Sequence, residues 1–200
     1  MPAPIDFYFD FSSPYGYLAS QKIDAIAEKH ERAVNWRPIL LGAIFKITGS
    51  RPLANMPLKG DYSVHDMPRF ARLLDVPFNM PAKFPIATQA AARAFYWAHD
   101  RDPQLARKLA LALYHAYFAD GRDISDPETV ADIAGSLDID RAQLLAALGD
   151  GAIKERLKNE IDAAIARKVF GSPFIIIDGE PFWGADRLGQ VEHWLATGGW

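Results

Sequence analysis

The sequence predicts an α/β fold interrupted by an all-helical insertion, and three observations carry that expectation. The 200-residue chain opens on an aromatic and aliphatic run, Ile5 to Phe11, that reads as a short buried strand. The next comparable run near the other end, Phe174-Ile175-Ile176-Ile177, is followed by the turn dipeptide Asp178-Gly179 and a short partner, Pro181-Phe182-Trp183. Between the two ends lie about a hundred residues in which apolar positions mostly recur at helical spacing.

Each element has its own local reason. Ser13-Pro14 supplies an N-cap followed by proline at the first helical position, and Leu18, Ala19, Ile23, Ile26 and Ala27 continue one apolar stripe, so one helix is expected from Pro14. Ala33 to Ile39 predicts a second strand, with Pro38 marking its end or an edge position. Leu40 to Pro81 carries breakers at Gly49, Pro52, Pro57, Gly60, Pro68, Pro77 and Pro81. It predicts loop plus short helices, one of them around His65 to Leu74. Two long helices follow, with stripes Ile86, Ala90, Ala94, Trp97, Ala98 and Leu105, Leu109, Ala112, Leu113, Ala116, Tyr117, joined through His99 to Pro103. Asp126-Pro127 and Asp140-Arg141 open two shorter helices that end near Ser136 and Gly149. A longer helix runs from about Ala152 to Lys168, with Gly171 just past its end. Gly184-Ala185-Asp186 leads into a last helix with Leu188, Val191, Trp194 and Leu195 inward. With the helical block removed, the order βαβ, α, ββα remains, which is that of a thioredoxin-like fold. The expected boundaries are 1–42 and 152–200 for that unit and 43–151 for the inserted helical domain.

Composition narrows the function. Half of the residues are hydrophobic, enough for a sizeable core. The net charge is -3 and no long run gathers Lys or Arg, which argues against nucleic acid or an acidic membrane as partner. No stretch approaches the roughly 18 apolar residues of a membrane span, and Asp6 and Asp10 stand where a signal peptide needs a basic start and an apolar run. The expected location is the cytoplasm. Cysteine is absent, which removes disulfides, thiolate metal sites and a protein thiol nucleophile together. No His-Glu-x-x-His, paired histidines or phosphate-binding glycine loop is present.

The candidate site begins where the first strand runs into the first helix. Unpaired first-turn amides and the helix dipole favour an anion there, and Ser13 would point its hydroxyl into that field; capping alone is the other reading of Ser13. Ser172-Pro173, directly before the third strand, sits where thioredoxin-like folds usually carry a cis proline, with an ordinary trans proline as the alternative.

These stretches resemble a known family. Phe9-Asp10-Phe11-Ser12-Ser13-Pro14-Tyr15-Gly16-Tyr17-Leu18 is similar to the opening motif of the 2-hydroxychromene-2-carboxylate isomerases and, beside them, the kappa class of glutathione transferases, both in the DsbA-like branch of the thioredoxin superfamily. In that motif serine before proline replaces the redox cysteine. Val169 to Phe174 resembles the family's cis-proline segment, and Phe182 to Leu188 its glutathione-binding turn. The resemblance implies glutathione as the cofactor. Ser13 would hold its sulfur, the backbone of Ser172 beside Pro173 would pair with its peptide-like body, and Ala185, Asp186 and Arg187 would receive its γ-glutamyl end. Lys59 resembles a family lysine that reaches substrate or glutathione from the insertion. The chain departs from the pattern in having Ser12 beside Ser13 and Gly16 where relatives often carry serine; this glycine costs its helix up to ~1 kcal/mol.

The implied reaction interconverts 2-hydroxychromene-2-carboxylate and trans-o-hydroxybenzylidenepyruvate, or acts on a related unsaturated ketoacid. Thiolate addition to the conjugated ketone makes the double bond rotatable, and elimination restores the cofactor. Phe11, Tyr17, Tyr62, Phe84, Trp97 and Trp183 fall near expected strand ends or the domain junction and suit a planar apolar substrate, though core packing explains aromatics equally well. A kappa-type transferase would use the same Ser13, Asp186 and Arg187, and a non-catalytic binding module would keep the groove without turnover. A homodimer is implied by resemblance alone.

Overall fold

A computed structural model describes residues 2–200. Four strands form one mixed sheet in the order β2-β1-β3-β4, where β1 is Ile5–Phe9, β2 Val34–Pro38, β3 Phe174–Ile177 and β4 Glu180–Trp183. β1 and β2 are parallel, with Phe7 opposite Trp36. β3 runs antiparallel to both neighbours, with Ile175 opposite Phe7 on one side and Phe182 on the other. Every residue of β3 is buried, as a central strand covered on both faces requires, whereas β4 is an edge that tolerates Pro181.

The first strand is shorter than its apolar run. It stops at Phe9 because the Asp10 N–H turns away to Ser172 Oγ (2.9 Å) and the Asp10 carbonyl accepts from the Ser13 N–H (2.8 Å). Phe11 lies in that turn yet is fully buried. The single helix expected from Pro14 is two, α1 (Pro14–Ser20) and α2 (Ile23–Lys29). Ser20 Oγ donates back to the Tyr17 carbonyl at 2.6 Å, a local competitor for the helix ladder, and the Lys22 N–H closes a tighter turn onto Ala19.

Residues 40–81 are more helical than their breakers suggest. α3 (Leu41–Thr48) ends on Gly49 at φ +69, where a left-handed cap favours glycine. A 3₁₀ turn (Leu53–Asn55) leads to α4 (Lys59–Leu73), which passes through Pro68. The carbonyl that Pro68 leaves without a donor is that of Val64, an exposed residue, so water can serve it.

The remaining helices are α5 (Gln89–His99), α6 (Pro103–Phe118), α7 (Pro127–Gly135), α8 (Arg141–Gly149), α9 (Gly151–Ala166) and α10 (Leu188–Thr197), the last entered through a 3₁₀ turn at Ala185–Arg187. Asp102, Asp126, Asp140 and Asp150 each accept a first-turn amide as N-cap. None of these helices is long and apolar enough to cross a membrane, among the described residues.

One core joins the sheet to the inserted helices. Phe9 packs on Trp36 within the sheet layer, on Phe95 of α5 and on Tyr114 of α6, with ring centroids 5.4, 6.0 and 5.6 Å apart. Buried tyrosines anchor helices through satisfied hydroxyls: Tyr96 donates to the Pro38 carbonyl (2.8 Å) and Tyr114 to that of Asp10 (2.9 Å), both at strand ends, and Tyr17 to that of Pro77 (2.8 Å) in the loop after α4. Of the aromatics that could line a substrate site, Phe11, Tyr17 and Trp97 belong to this core. Tyr62 and Trp183 are exposed and Phe84 is half-buried.

Candidate functional site

The turn between β1 and α1 is organised by Asp10. Its carboxylate is buried and accepts three hydrogen bonds, from the Ser12 N–H (2.8 Å), the Thr88 hydroxyl (2.8 Å) and the Leu41 N–H (2.7 Å). Burial pushes this carboxyl above the ordinary Asp range, while the Ser12 and Leu41 amides and the Thr88 hydroxyl pull it the other way. Thr88 is the N-cap of α5 and Leu41 the first residue of α3, so one side chain fixes the starts of two inserted helices against the strand end.

Three residues on, Ser13 is the N-cap of α1 and is 7% exposed. Its Oγ accepts from the Gly16 N–H (3.0 Å) and donates to the Ser172 carbonyl (2.9 Å). The Ser172–Pro173 bond is cis. The Ser172 Oγ accepts from Asp10, so both serines are tied to the same turn from opposite sides. The Ser172 N–H donates to no group among the described residues. Ser12, the neighbouring hydroxyl, is more open and accepts from the Ile86 N–H (3.1 Å), which places the Phe84-Pro85-Ile86 loop beside it.

Gly16 has a structural reason that the sequence concealed. A Cβ there would lie 2.6 Å from the Tyr114 hydroxyl and 2.8 Å from Ser172 Oγ. Tyr114 is fully buried and held by Asp10, so the space beside Ser13 is already taken by two other hydroxyls.

The turn after β4 adjoins the cis-proline loop, since the Gly184 N–H donates to the Pro173 carbonyl (3.1 Å). Gly184 sits at φ +114, which only glycine adopts readily. The amides of Ala185 and Asp186 have no acceptor among the described residues; Ala185 is buried, and the Asp186 and Arg187 side chains are exposed. Such a pair of free amides at a helix start is suited to a carboxylate.

A further wall comes from α4. Tyr15 of α1 donates to Asp66 (2.8 Å), Asp66 also pairs with Arg69, and Arg69 reaches the Tyr62 hydroxyl (3.0 Å). Burial, then the bond to Asp66, with smaller contributions from the Tyr62 and Asp186 charges, raises the Tyr15 phenol well above its usual value. Lys59 begins α4, is exposed, and no hydrogen bond or ion pair ties it to the other predicted residues. Hence Ser13, Ser172, Pro173 and the turn opening at Gly184 are joined by hydrogen bonds, and Lys59 makes none to them. Sequence reasoning missed Asp10, Thr88 and Tyr114 as the supports of this site; the signal for Asp10 was a carboxylate inside an otherwise apolar run.

A strand running into a serine-capped helix, facing a cis proline before an antiparallel strand, defines a thioredoxin-like site without its cysteines. The DSBA-like thioredoxin domain family matches residues 4–196. The chain is 30% identical over 190 residues to a 2-hydroxychromene-2-carboxylate isomerase of Pseudomonas putida, with 94% of this chain and 92% of the relative covered. It is 26% identical over 208 residues to a kappa 1 glutathione S-transferase of Rattus norvegicus, covering 97% and 92%. A solved 2-hydroxychromene-2-carboxylate isomerase structure superposes with a TM-score of 0.87 at 28% identity, covering 96% of this chain and 94% of that one. The chain belongs to the DSBA-like thioredoxin family, in the branch that holds the 2-hydroxychromene-2-carboxylate isomerases and the kappa-class glutathione transferases.

Proposed function

We propose that this chain is a glutathione-dependent isomerase acting on 2-hydroxychromene-2-carboxylate or a related unsaturated ketoacid, working in the cytoplasm as a homodimer. The observation that carries the reading is Ser13, a helix-capping hydroxyl poised between the Gly16 amide and the Ser172 carbonyl in a chain without cysteine. When bound, glutathione supplies the nucleophilic sulfur that the protein lacks, and with it reversible addition to a conjugated ketone.

The residues fit such a guest. Ser13 keeps its bond from Gly16 while its own proton is free to turn from the Ser172 carbonyl toward an anionic sulfur, so capping and donation are compatible in one hydroxyl. Among the described residues no histidine or carboxylate hydrogen-bonds to Ser13 Oγ, which leaves it a donor and not an activated nucleophile. The free N–H of Ser172 suits strand-like pairing with a peptide, the Ala185 and Asp186 amides suit its carboxylate, and the Asp186 side chain suits its amine. Arg187 and Lys59 are exposed cations at the margin. Tyr62, Phe84 and Trp183 supply the accessible aromatic surface for a planar substrate.

Calorimetric titration with reduced glutathione, paired with an absorbance assay on 2-hydroxychromene-2-carboxylate, tests the proposal. Expected are saturable binding, glutathione-stimulated conversion, a loss of about 10²-fold or more in kcat for Ser13→Ala, and weaker glutathione binding for Asp186→Ala. Loss of the cap should cost Ser13→Ala only about 1 kcal/mol of stability. Near-wild-type turnover by Ser13→Ala would overturn the assignment. Binding with transfer to an aryl halide but no isomerisation would move the chain to the kappa-type reading.

A further inference from the structure

Away from Ser13, a cleft of about 350 Å³ opens between α3, α5 and α9. That volume lies within the range of small-molecule sites, roughly 300–1,000 Å³. Its walls are aliphatic: Leu40, Ala43 and Ile47 on one side, Leu157, Ile161 and Ile165 on the other. Ile47 is 65% exposed at the mouth, an unfavourable place for a large apolar side chain that nothing covers.

The charged groups are unbalanced. Lys158 and Asp162 neutralise each other at 2.8 Å. Arg93 and Lys154 have no carboxylate within ion-pair reach among the described residues. Arg93 is half-buried; its Nη1 donates to the Leu148 carbonyl at 3.2 Å, and its buried Nε has no acceptor. A guanidinium partly withdrawn from water, with no anion beside it and one buried donor unpaired, gains from an anion that reaches its open end. Its planar fork matches a carboxylate, and Lys154 adds a second positive charge at the same cleft.

We propose that this cleft is a second ligand site, for an aliphatic carboxylate of medium chain length, with the carboxylate on Arg93 and Lys154 and the alkyl chain along the isoleucine and leucine walls. The absence of aromatic rings from the lining selects an alkyl chain over the planar substrate proposed for the Ser13 site. The two sites are independent in composition, since none of the cleft residues belongs to the Ser13 group.

Decanoate is the probe, titrated by calorimetry below its micellar concentration into the intact protein, with decanol as the uncharged control. Expected is saturable one-to-one binding, at least tenfold weaker for decanol, weakened at least tenfold by Arg93→Gln and severalfold by Lys154→Glu, and unchanged by Ser13→Ala or by saturating glutathione. Lys154 is exposed, so its variant reports on the site even where Arg93→Gln unfolds the protein. Equal affinity for decanol, indifference to both cation variants, or displacement by glutathione would overturn the proposal. Absence of saturable decanoate binding would overturn it too, and a shift of Ile47→Glu to a smaller species in sedimentation would then assign the cleft to a second copy of the chain.

Discussion

Two walls of the candidate site are built on opposite terms. The strand-end wall, residues 10–16 with the cis-proline loop, is buried and saturated with hydrogen bonds: Asp10 alone engages Ser12, Ser13, Leu41, Thr88, Tyr114 and Ser172. The α4 wall is joined to α1 by the single Tyr15–Asp66 bond and ring contact between Tyr15 and Phe70, and it exposes Leu58, Tyr62, Val64 and Leu73. The difference separates two requirements. Holding a charge needs donors fixed in advance, whereas admitting a bulky planar molecule needs a surface that can yield.

If the contrast is real, the strand-end wall should break expensively. Asp10→Ala leaves the buried Thr88 hydroxyl and the part-buried Ser12 and Leu41 amides without their acceptor, each costing about 1–3 kcal/mol with partial relaxation. The expected loss is about 4 kcal/mol, read from the urea midpoint at constant slope. A loss under about 1 kcal/mol would mean that water or Ser172 takes over and that Asp10 is not the hub.

The next effect concerns Gly16. A serine at position 16 would push a Cβ against Tyr114 and Ser172, neither of which is the free end of a flexible chain. Gly16→Ser should therefore destabilise by about 2 kcal/mol despite its better helix propensity, and should lower kcat by displacing Ser172 from Ser13. The double variant Gly16→Ser with Tyr114→Phe tests the cause, since removing the hydroxyl should recover part of the loss.

The same contrast explains what could be read from the chain. β1, the Ser13 cap, the Asp178-Gly179 turn and the capped helices at Asp126 and Asp140 are local events, each encoded within a few residues, and the mixed thioredoxin order followed from them. The break between α1 and α2 is hidden in the sequence because the apolar stripe continues through it; the Ser20 back-bond and the tighter turn of Lys22 onto Ala19 interrupt the ladder. α4 starts at Lys59, six residues before the helix expected around His65 to Leu74, because Pro57 and Gly60 read as breakers at its start; Pro68 lies inside both, and its cost depends on whether Val64 can reach water. The joining of Ser13 to Ser172 across 159 residues, and the service of Asp10 to three separate elements, depend on tertiary contact. Only motif resemblance pointed to the first; for the second, the lone carboxylate in an apolar run marks Asp10 as unusual without showing which elements it serves.

The α4 wall should respond in binding more than in stability. Tyr15→Phe removes one half-buried bond, so about 1 kcal/mol is expected. On the proposed function, in which Ser13 carries the chemistry and this wall positions substrate, the KM for the ketoacid should rise severalfold with kcat little changed. An equal fall in kcat would place Tyr15 in the chemistry itself and dissolve the distinction between the walls.

The smallest effect is expected at Leu58, where the loosely held wall begins. Leu58 sits at φ +66, ψ -51, closing a γ-turn in which the Lys59 N–H donates to the Pro57 carbonyl at 2.7 Å. A leucine is strained there by about 1 kcal/mol, and its side chain is 90% exposed, so no packing compensates. Leu58→Gly removes the strain and adds freedom to the unfolded chain, leaving a net gain of about 0.5 kcal/mol or less. A stability gain with unchanged KM would show that the turn only starts α4. A gain accompanied by a raised KM would show that the strained turn holds Leu58 where substrate meets it, and would extend the yielding wall one turn beyond the Tyr15–Asp66 bond.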